Sequence, residues 1–153
     1  MVSISILAMG KIKGNDLEPL VALYTKRISW PLEFIELGTK KNVKGNELKE
    51  EEARLFQEHI HPKDIVIALD ERGKNITSVQ FSEKFAQFEM SNPGKIIFII
   101  GGADGLAPQI LERANFKISF GAQTWPHMLV RVMLLEQIYR AQQILIGHPY
   151  HRA

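Results

Sequence analysis

The chain has 153 residues, the length of one ordinary domain. Its 19 Lys and Arg residues nearly balance its 17 Asp and Glu residues, so bulk charge alone does not indicate a polyanion-binding protein. The absence of cysteine excludes disulfides, cysteine-ligated metals and thiolate nucleophiles. No apolar run approaches the roughly 20 residues of a membrane span, and no signal peptide is apparent. We therefore expect a single cytoplasmic domain over residues 1–153.

Hydrophobic periodicity predicts strands and helices in alternation through the first half of the chain. Alternating apolar residues predict a first strand over residues 2–9. Asn15 and Glu18 form a capping-box pattern that opens a helix, and Pro31 ends it. The next predicted elements are a strand over 32–37, a mobile basic loop over 38–45, a helix over 46–60 and a strand over 64–70 followed by a turn over 71–75.

The same alternation continues in the second half. Ser78 is predicted to cap a helix that reaches Met90, and Pro108 opens a short helix that ends at about Ala114. The other predicted elements are strands over 95–100 and 117–120, a loop over 121–127, a helix over 128–146 and an irregular tail over 147–153. Central strands that are apolar on both faces predict an α/β fold, with a mainly parallel sheet and helices on both faces.

Three polar or glycine-rich segments follow predicted strands, where parallel sheets bind ligands. They are residues 69–73, 101–106 and 121–127. The pair Gly101 and Gly102 has no Cβ atoms, so a ligand can approach the backbone closely; an ordinary tight turn is the alternative. Neither a dinucleotide fingerprint nor a P-loop is present. For the third segment, the alternative is a rigid connection whose tryptophan belongs to the core.

The last predicted helix and the tail carry two further hypotheses. The helix is apolar around most of its circumference and must be covered on two sides, either by a second copy of the chain or by a central position in the core. The tail concentrates groups that can bind phosphate, stack on a base or transfer protons: His148, Tyr150, His151 and Arg152. The alternative is a frayed terminus without a role.

Four motifs occur in a fixed order along the chain: Leu69 and Asp70 with Gly73 and Lys74; residues 100–106; Pro126 and His127 with residues 129–131; and the ending 148–152. With this chain length, they closely resemble the bacterial rRNA pseudouridine N3-methyltransferases of the SPOUT superfamily. The resemblance covers essentially the whole chain. It implies an α/β fold with a C-terminal trefoil knot over about residues 64–153, a homodimer, S-adenosylmethionine as the methyl donor, and no metal.

The resemblance also assigns residues to the site. It places the donor against Leu69, Gly101, Gly102, Ala122, Gln123, Thr124, Trp125, Pro126 and His127. The family commonly has an aliphatic residue at position 125 and a proline at position 128, where this chain has Trp125 and Met128.

The target nitrogen that the resemblance implies, N3 of pseudouridine, indicates which kinds of side chain could take part in catalysis. N3 of pseudouridine bears a proton, so its methylation needs a general base or a cation that stabilises the anion. We expect these groups among the tail residues His148, Tyr150, His151 and Arg152, with His127 as a further candidate and with Arg131 and Tyr139 shaping the site. The alternative is that these groups only bind RNA phosphates.

The target implied by the resemblance is a pseudouridine in helix 69 of 23S rRNA, on the assembled ribosome. The absence of cysteine agrees with a nitrogen target, because C5 methylation of a pyrimidine commonly uses a cysteine adduct. The near-neutral charge predicts recognition of a folded context through residues 40–44 and the tail. We expect no DNA or membrane partner. The alternatives are a SPOUT enzyme that methylates a ribose oxygen or a guanine, a catalytically idle ribosome-binding factor, and a nicotinamide-dependent oxidoreductase.

Overall fold

The computed structural model describes residues 1–91 and 93–152, and within them five strands alternate with five helices. In chain order the elements are β1 (Ile4–Met9), α1 (Glu18–Arg27), β2 (Leu32–Leu37), α2 (Gly45–Gln57), β3 (Ile65–Asn75), α3 (Ser78–Ser91), β4 (Ile96–Ile100), α4 (Pro108–Arg113), β5 (Phe116–Ser119) and α5 (His127–Leu145). Every strand pair in this part of the chain is parallel. The predicted α/β fold with a parallel sheet is confirmed.

The sheet has the strand order β2-β1-β4-β3-β5. β4 is fully buried and pairs with β1 on one side and with β3 on the other. Because all strands are parallel, the loops after β3, β4 and β5 leave the sheet at the same edge, where open parallel sheets bind ligands. The knot over residues 64–153 stays a prediction.

Alternate side chains of the strands contribute to two separate cores, one on each face of the sheet. On the first face, Phe98 packs in the core with α1, α3 and α5, and its ring lies 6.0 and 6.2 Å from the rings of Phe81 and Phe85 of α3. On the second face, Ile99 packs with Phe56 of α2 and Ile110 of α4. Helices cover both faces, as predicted. Within the described residues, no helix is both long and apolar enough to cross a membrane.

The turn predicted over residues 71–75 is wrong, because β3 continues to Asn75. Its pairing with β5 shifts register in this region: Leu69 and Lys74 both pair with Ile118. Gly73 lies in the bulge, where a Cβ atom would lie 2.8 Å from the backbone of Ile118. Polar residues around a glycine are typical of a turn, and only the pairing with β5 turns this segment into a strand.

The predicted helix starts are also corrected. Thr77, rather than Ser78, caps α3: its Oγ1 accepts a hydrogen bond from the backbone N–H of Gln80 at 3.0 Å, and Gln80 accepts one from the N–H of Thr77 at 2.9 Å. Asn15 does not cap α1, since its side chain accepts a hydrogen bond from the N–H of Leu17 in a local turn and the helix begins at Glu18.

Candidate functional site

A cavity of about 650 Å³ lies at the edge of the sheet where β4 and β5 end and where β3 enters its bulge after Leu69. Its volume lies within the range of small-molecule sites. The predicted donor-binding residues that line it are Leu69, Gly101, Gly102, Gln123, Thr124, Trp125, Pro126 and His127. Ala122 is exposed and does not line the cavity. The structure therefore brings together three segments that are far apart in the chain.

The glycine pair after β4 allows close packing within the chain. A Cβ atom on Gly101 would lie 2.8 Å from Cδ2 of Leu106, and one on Gly102 would lie 3.0 Å from Oε2 of Glu52. The loop turns tightly, since the N–H of Gly105 donates to the carbonyl oxygen of Gly102 at 3.1 Å. The alternative of a tight turn is thus confirmed, yet both glycines of the pair also line the cavity.

The loop after β5 is held by two side-chain hydrogen bonds. The hydroxyl of Thr124 donates to Glu71 of the β3 bulge at 3.0 Å, and the indole N–H of Trp125 donates to the carbonyl oxygen of Phe120 at 3.2 Å. Trp125 is 38% exposed, so the alternative that it is a core residue is wrong. The ring instead forms part of the cavity wall.

Charged residues from α2, the β3 bulge and the loop after β4 line the cavity, including Asp70, Glu71 and Arg72 of the bulge. Lys49 of α2 lines it together with Asp104 of the loop after β4. Burial raises the pKa of Glu52, and the charge of Asp104 raises it further. Sequence reasoning missed Lys49 and Glu52; their spacing of three residues on a predicted helix could have placed them on one face. Among residues 1–91 and 93–152, no group of three or more His, Asp or Glu side chains is arranged to hold a metal ion.

The tail folds back onto the C-terminal half of α5. The hydroxyl of Tyr150 donates to Glu136 at 3.0 Å, and Arg140 donates to Nδ1 of His151 at 3.1 Å. Arg140 also makes two hydrogen bonds to Glu136, at 2.6 and 2.9 Å. Burial and the bond to Glu136 raise the pKa of Tyr150 to about 12. Tyr150 and His151 are therefore packed, and the alternative of a frayed terminus is wrong for them.

Within one chain, the tail and the cavity lie toward opposite ends of α5. His127, which lines the cavity, is the first residue of the helix, and Arg140 follows thirteen residues later. At 1.5 Å per residue, this separates them by about 20 Å. His148 and Arg152 are exposed. The structure therefore unites the predicted donor-binding residues other than Ala122, but of the catalytic candidates it brings only His127, and none of the tail residues, to the same cavity.

The two residues predicted to shape the site lie elsewhere. Arg131 is fully buried, and its guanidinium donates to Glu36 and to the carbonyl oxygens of Met9 and Gly10. Tyr139 packs edge-on against Tyr150, with ring centroids 4.8 Å apart. Both residues therefore support neighbouring elements instead of lining the cavity.

Comparisons with known proteins identify the family of the chain. The family model described as "Predicted SPOUT methyltransferase" matches residues 2–151. Three relatives are each named Ribosomal RNA large subunit methyltransferase H. That of Rhodospirillum centenum is 47% identical over 97% of both chains, and that of Clostridium botulinum (strain Kyoto / Type A2) is 45% identical over 99% of this chain and 100% of its own. The protein from Rhodopseudomonas palustris is 40% identical over 98% and 99%.

A solved structure, that of the SpoU methyltransferase AviRb from Streptomyces viridochromogenes in complex with AdoMet, aligns with 93% of this chain and 58% of its own, at 10% identity and a TM-score of 0.47. The family match spans nearly all of the chain, and the alignments with the relatives cover 97–100% of their own length. The chain belongs to the SPOUT methyltransferase family, within the group of ribosomal RNA large subunit methyltransferase H.

Proposed function

We propose that this protein transfers the methyl group of S-adenosylmethionine to N3 of a pseudouridine in helix 69 of 23S rRNA, on the assembled ribosome in the cytoplasm. The observation that carries the proposal is the convergence of the β3 bulge and the loops after β4 and β5 on one cavity. The family and the names of the relatives support methyl transfer to large-subunit rRNA. Neither DNA nor a membrane has a part in this function.

The cavity offers what an adenosine group needs, namely apolar walls with backbone donors and acceptors between them. Leu69, Trp125 and Val130 supply apolar surface, and the loop after β5 supplies backbone groups. S-adenosylmethionine supplies an activated methyl group. The N3–carbon bond forms as the sulfur–carbon bond breaks, and the N3 proton leaves to a base. Because no covalent enzyme intermediate is needed, positioning and charge stabilisation supply the catalysis.

We propose that the protein works as a homodimer in which the tail of one subunit reaches the cavity of the other. About 20 Å of α5 separates His127 from Arg140 in one chain, so a tail cannot serve its own cavity without leaving Glu136 and Arg140. The exposed apolar side chains of Leu145 and Ile146, at the end of α5, offer a surface for a second copy.

The hydrogen bonds of the tail indicate what its residues contribute. Nδ1 of His151 accepts from Arg140, and Nδ1 of His148 accepts from the backbone N–H of Tyr150 at 3.1 Å. Each neutral ring therefore carries its proton on Nε2 and presents a donor. With Arg152, these donors suit the anion that forms when N3 loses its proton. His127, in the cavity wall, is then the candidate base.

The loop between β2 and α2 supplies a further contact for RNA. It leaves the sheet at the same edge as the cavity, and Lys40 and Lys44 are exposed. Lys41 is instead held by Glu51 at 3.2 Å. We propose that the loop contacts phosphates of a folded rRNA segment and positions it, while the small net charge prevents strong binding to unstructured RNA.

The test is methylation of ribosomes that lack the modification, with the modified nucleotide mapped by mass spectrometry. We expect one methyl group on N3 of one pseudouridine. A methyl group on a ribose oxygen or on guanine would replace this target with another SPOUT target. No incorporation, together with no heat of S-adenosylmethionine binding in calorimetry, would favour an idle ribosome-binding factor. A variant that lacks residues 148–153 serves as control, because it should bind the donor and transfer nothing.

A further inference from the structure

The loop between β1 and α1 is held in place by hydrogen bonds at two of its residues. The N–H of Gly10 donates to the carbonyl oxygen of Leu37 at 2.8 Å, and the N–H of Ile12 donates to the carboxylate of Glu36 at 2.7 Å. Arg131 donates to the carbonyl oxygen of Gly10 at 2.9 Å. The side chain of Ile12 is buried in the core on the first face of the sheet. The backbone of this loop is therefore already ordered where it leaves the sheet.

Two lysines flank the buried residue of this loop. Lys11 and Lys13 are exposed on either side of Ile12, and neither forms a salt bridge in the part of the chain that the structure describes. The nearby carboxylate of Glu36 is committed to an ion pair with a buried arginine. Asp16 adds one exposed negative charge further along the loop. The loop thus presents two cations without acidic partners on an ordered backbone.

This loop lies next to the cavity. Because β1 is the neighbour of β4, the loop leaves the sheet about 5 Å from the loop after β4, which lines the cavity. A Cβ atom on Gly10 would lie 3.6 Å from Cε of Met128, and Met128 directly follows His127 of the cavity wall.

The strand order also places the loop after β1 between the cavity and the loop after β2, which carries the exposed residues Lys40 and Lys44. An RNA segment that reaches from the cavity to the loop after β2 therefore crosses the loop after β1. Ile12 belongs to the core that α5 covers, whereas the glutamate-rich helix α2 packs on the opposite face. The loop after β1 therefore packs on the face opposite the acidic helix.

We infer that Lys11 and Lys13 bind two phosphates of the rRNA beside the target nucleotide and so position this nucleotide at the cavity. This inference rests on the proposed function and adds a second basic loop to the surface that contacts RNA. Contacts between lysine and phosphate fix the position of the RNA without reading its bases. Because the backbone of the loop is ordered in advance, binding pays little to order it.

The inferred role can be separated from binding of the methyl donor. Neither Lys11 nor Lys13 lines the cavity, and S-adenosylmethionine has no phosphate group. Loss of these lysines should therefore weaken the complex with the ribosome and leave the complex with the donor unchanged.

The experiment measures two dissociation constants of the full-length protein. Co-sedimentation gives the Kd for ribosomes that lack the modification, at several salt concentrations, and calorimetry gives the Kd for S-adenosylmethionine. We expect Lys11→Gln and Lys13→Gln each to weaken ribosome binding about threefold, and the double variant about tenfold. Each should also lower the slope of log Kd against log salt concentration by about 1, as for one lost phosphate contact.

Two controls accompany these variants. Lys63→Gln removes the same charge from an exposed position just before β3, at the opposite edge of the sheet, and should change neither constant. The double variant Lys11→Arg, Lys13→Arg keeps both charges and should bind ribosomes like the wild type. Donor binding should be the same in all variants.

Four results would overturn the inference. Ribosome binding and a salt slope like those of the wild type in the glutamine variants would remove these lysines from the interface and leave the proposed function intact. Weaker binding of S-adenosylmethionine would mean that the loop only supports the cavity. An equal loss in Lys63→Gln would mean that net charge alone matters. Unchanged binding to protein-free 23S rRNA would assign the lysines to a ribosomal protein.

One further result separates the inference from the proposed function. If the wild type bound ribosomes through these lysines but transferred no methyl group, the proposed function would fail and the phosphate contacts would stand.

Discussion

The guanidinium of Arg131 lies 2.7 Å from the carboxylate of Glu36, and this pair joins α5 to the end of β2. The same guanidinium donates to the carbonyl oxygens of Met9 and Gly10, at 2.6 and 2.9 Å, where β1 ends. The carboxylate also accepts a hydrogen bond from the N–H of Ile12 at 2.7 Å. The start of α5, which carries cavity residues, is thereby fixed to the edge of the sheet.

Removal of Glu36 leaves a buried cation without its partner. We expect Glu36→Leu to lower the free energy of unfolding by about 3 kcal/mol, because Arg131 is 0% exposed. The double variant Arg131→Met, Glu36→Leu should recover part of this loss, since it removes the buried unpaired charge but leaves the carbonyl oxygens of Met9 and Gly10 and the N–H of Ile12 without these partners. Urea denaturation measures both. Glu33→Leu, on the same strand but in an exposed pair with Lys95, should change stability by less than about 1 kcal/mol. A double variant no more stable than Glu36→Leu would contradict this account.

The bulge in β3 has no room for a side chain at Gly73. A Cβ atom there would lie 2.8 Å from backbone atoms of Lys117 and Ile118. We therefore expect Gly73→Ala to cost about 1–3 kcal/mol and to lower the midpoint of thermal unfolding. Gly38→Ala is the control, because no atom lies within 4 Å of the added Cβ, and it should be neutral or slightly stabilising. Equal midpoints for the two variants would argue against the bulge.

A tail that acts across the dimer can be tested by complementation. Ala103→Trp places a large side chain in the cavity from an exposed position, and deletion of residues 148–153 removes the tail. Each variant alone should be inactive. Dimers reassociated from an equal mixture should recover about a quarter of wild-type activity, because half are mixed and each of these has one intact site of two. No recovery, despite mixed dimers detected by mass spectrometry, would place the tail and the cavity in the same subunit.

The hydroxyl of Tyr150 remains protonated at neutral pH. Burial and the hydrogen bond to Glu136 raise its pKa to about 12, so it donates and does not serve as a base. Tyr150→Phe should therefore reduce the methylation rate, because the tail loses an anchor, and should leave the shape of the pH–rate profile unchanged between about pH 6 and 9. Glu136→Gln should reduce the rate further, since it weakens the contacts with Arg140 as well. If the wild type showed a fall in rate on the alkaline side of the pH–rate profile and Tyr150→Phe did not, the hydroxyl of Tyr150 would titrate in this pH range, contrary to the prediction.

The sequence predicts most of the sheet, because strands made of consecutive apolar residues are stable only when both faces of the sheet are covered. Five buried residues in succession, as in β4, require cover on both faces, and this places the strand in the middle of the sheet. The extension of β3 through Gly73 could not be predicted, because its polar residues become a strand only through their pairing with β5. Such tertiary contacts override local preference.

Some features of the candidate site could likewise be predicted from the sequence, and others could not. The general rule for parallel sheets predicts a site at residues 69–73, 101–106 and 121–127, and the cavity lies there, although the first of these segments is the bulge of β3 and not a loop. The contact of Glu52 with Gly102 could not be predicted, because fifty positions separate them in the chain and only the packing of α2 on the sheet joins them. The residue types of the tail can be recognised in the sequence. Its distance from the cavity cannot, because that distance is set by the length of α5 between the two.

The position of β4 between β1 and β3 also has a consequence for synthesis of the protein. β1 and β3 emerge from the ribosome first, and the strand that belongs between them begins only at Ile96. Until then, each of the two earlier strands has an unpaired edge that can join a neighbouring nascent chain. Completion of the sheet must wait for this long-range insertion, which slows folding. We expect newly made chains to depend on chaperones or on slow translation during this interval.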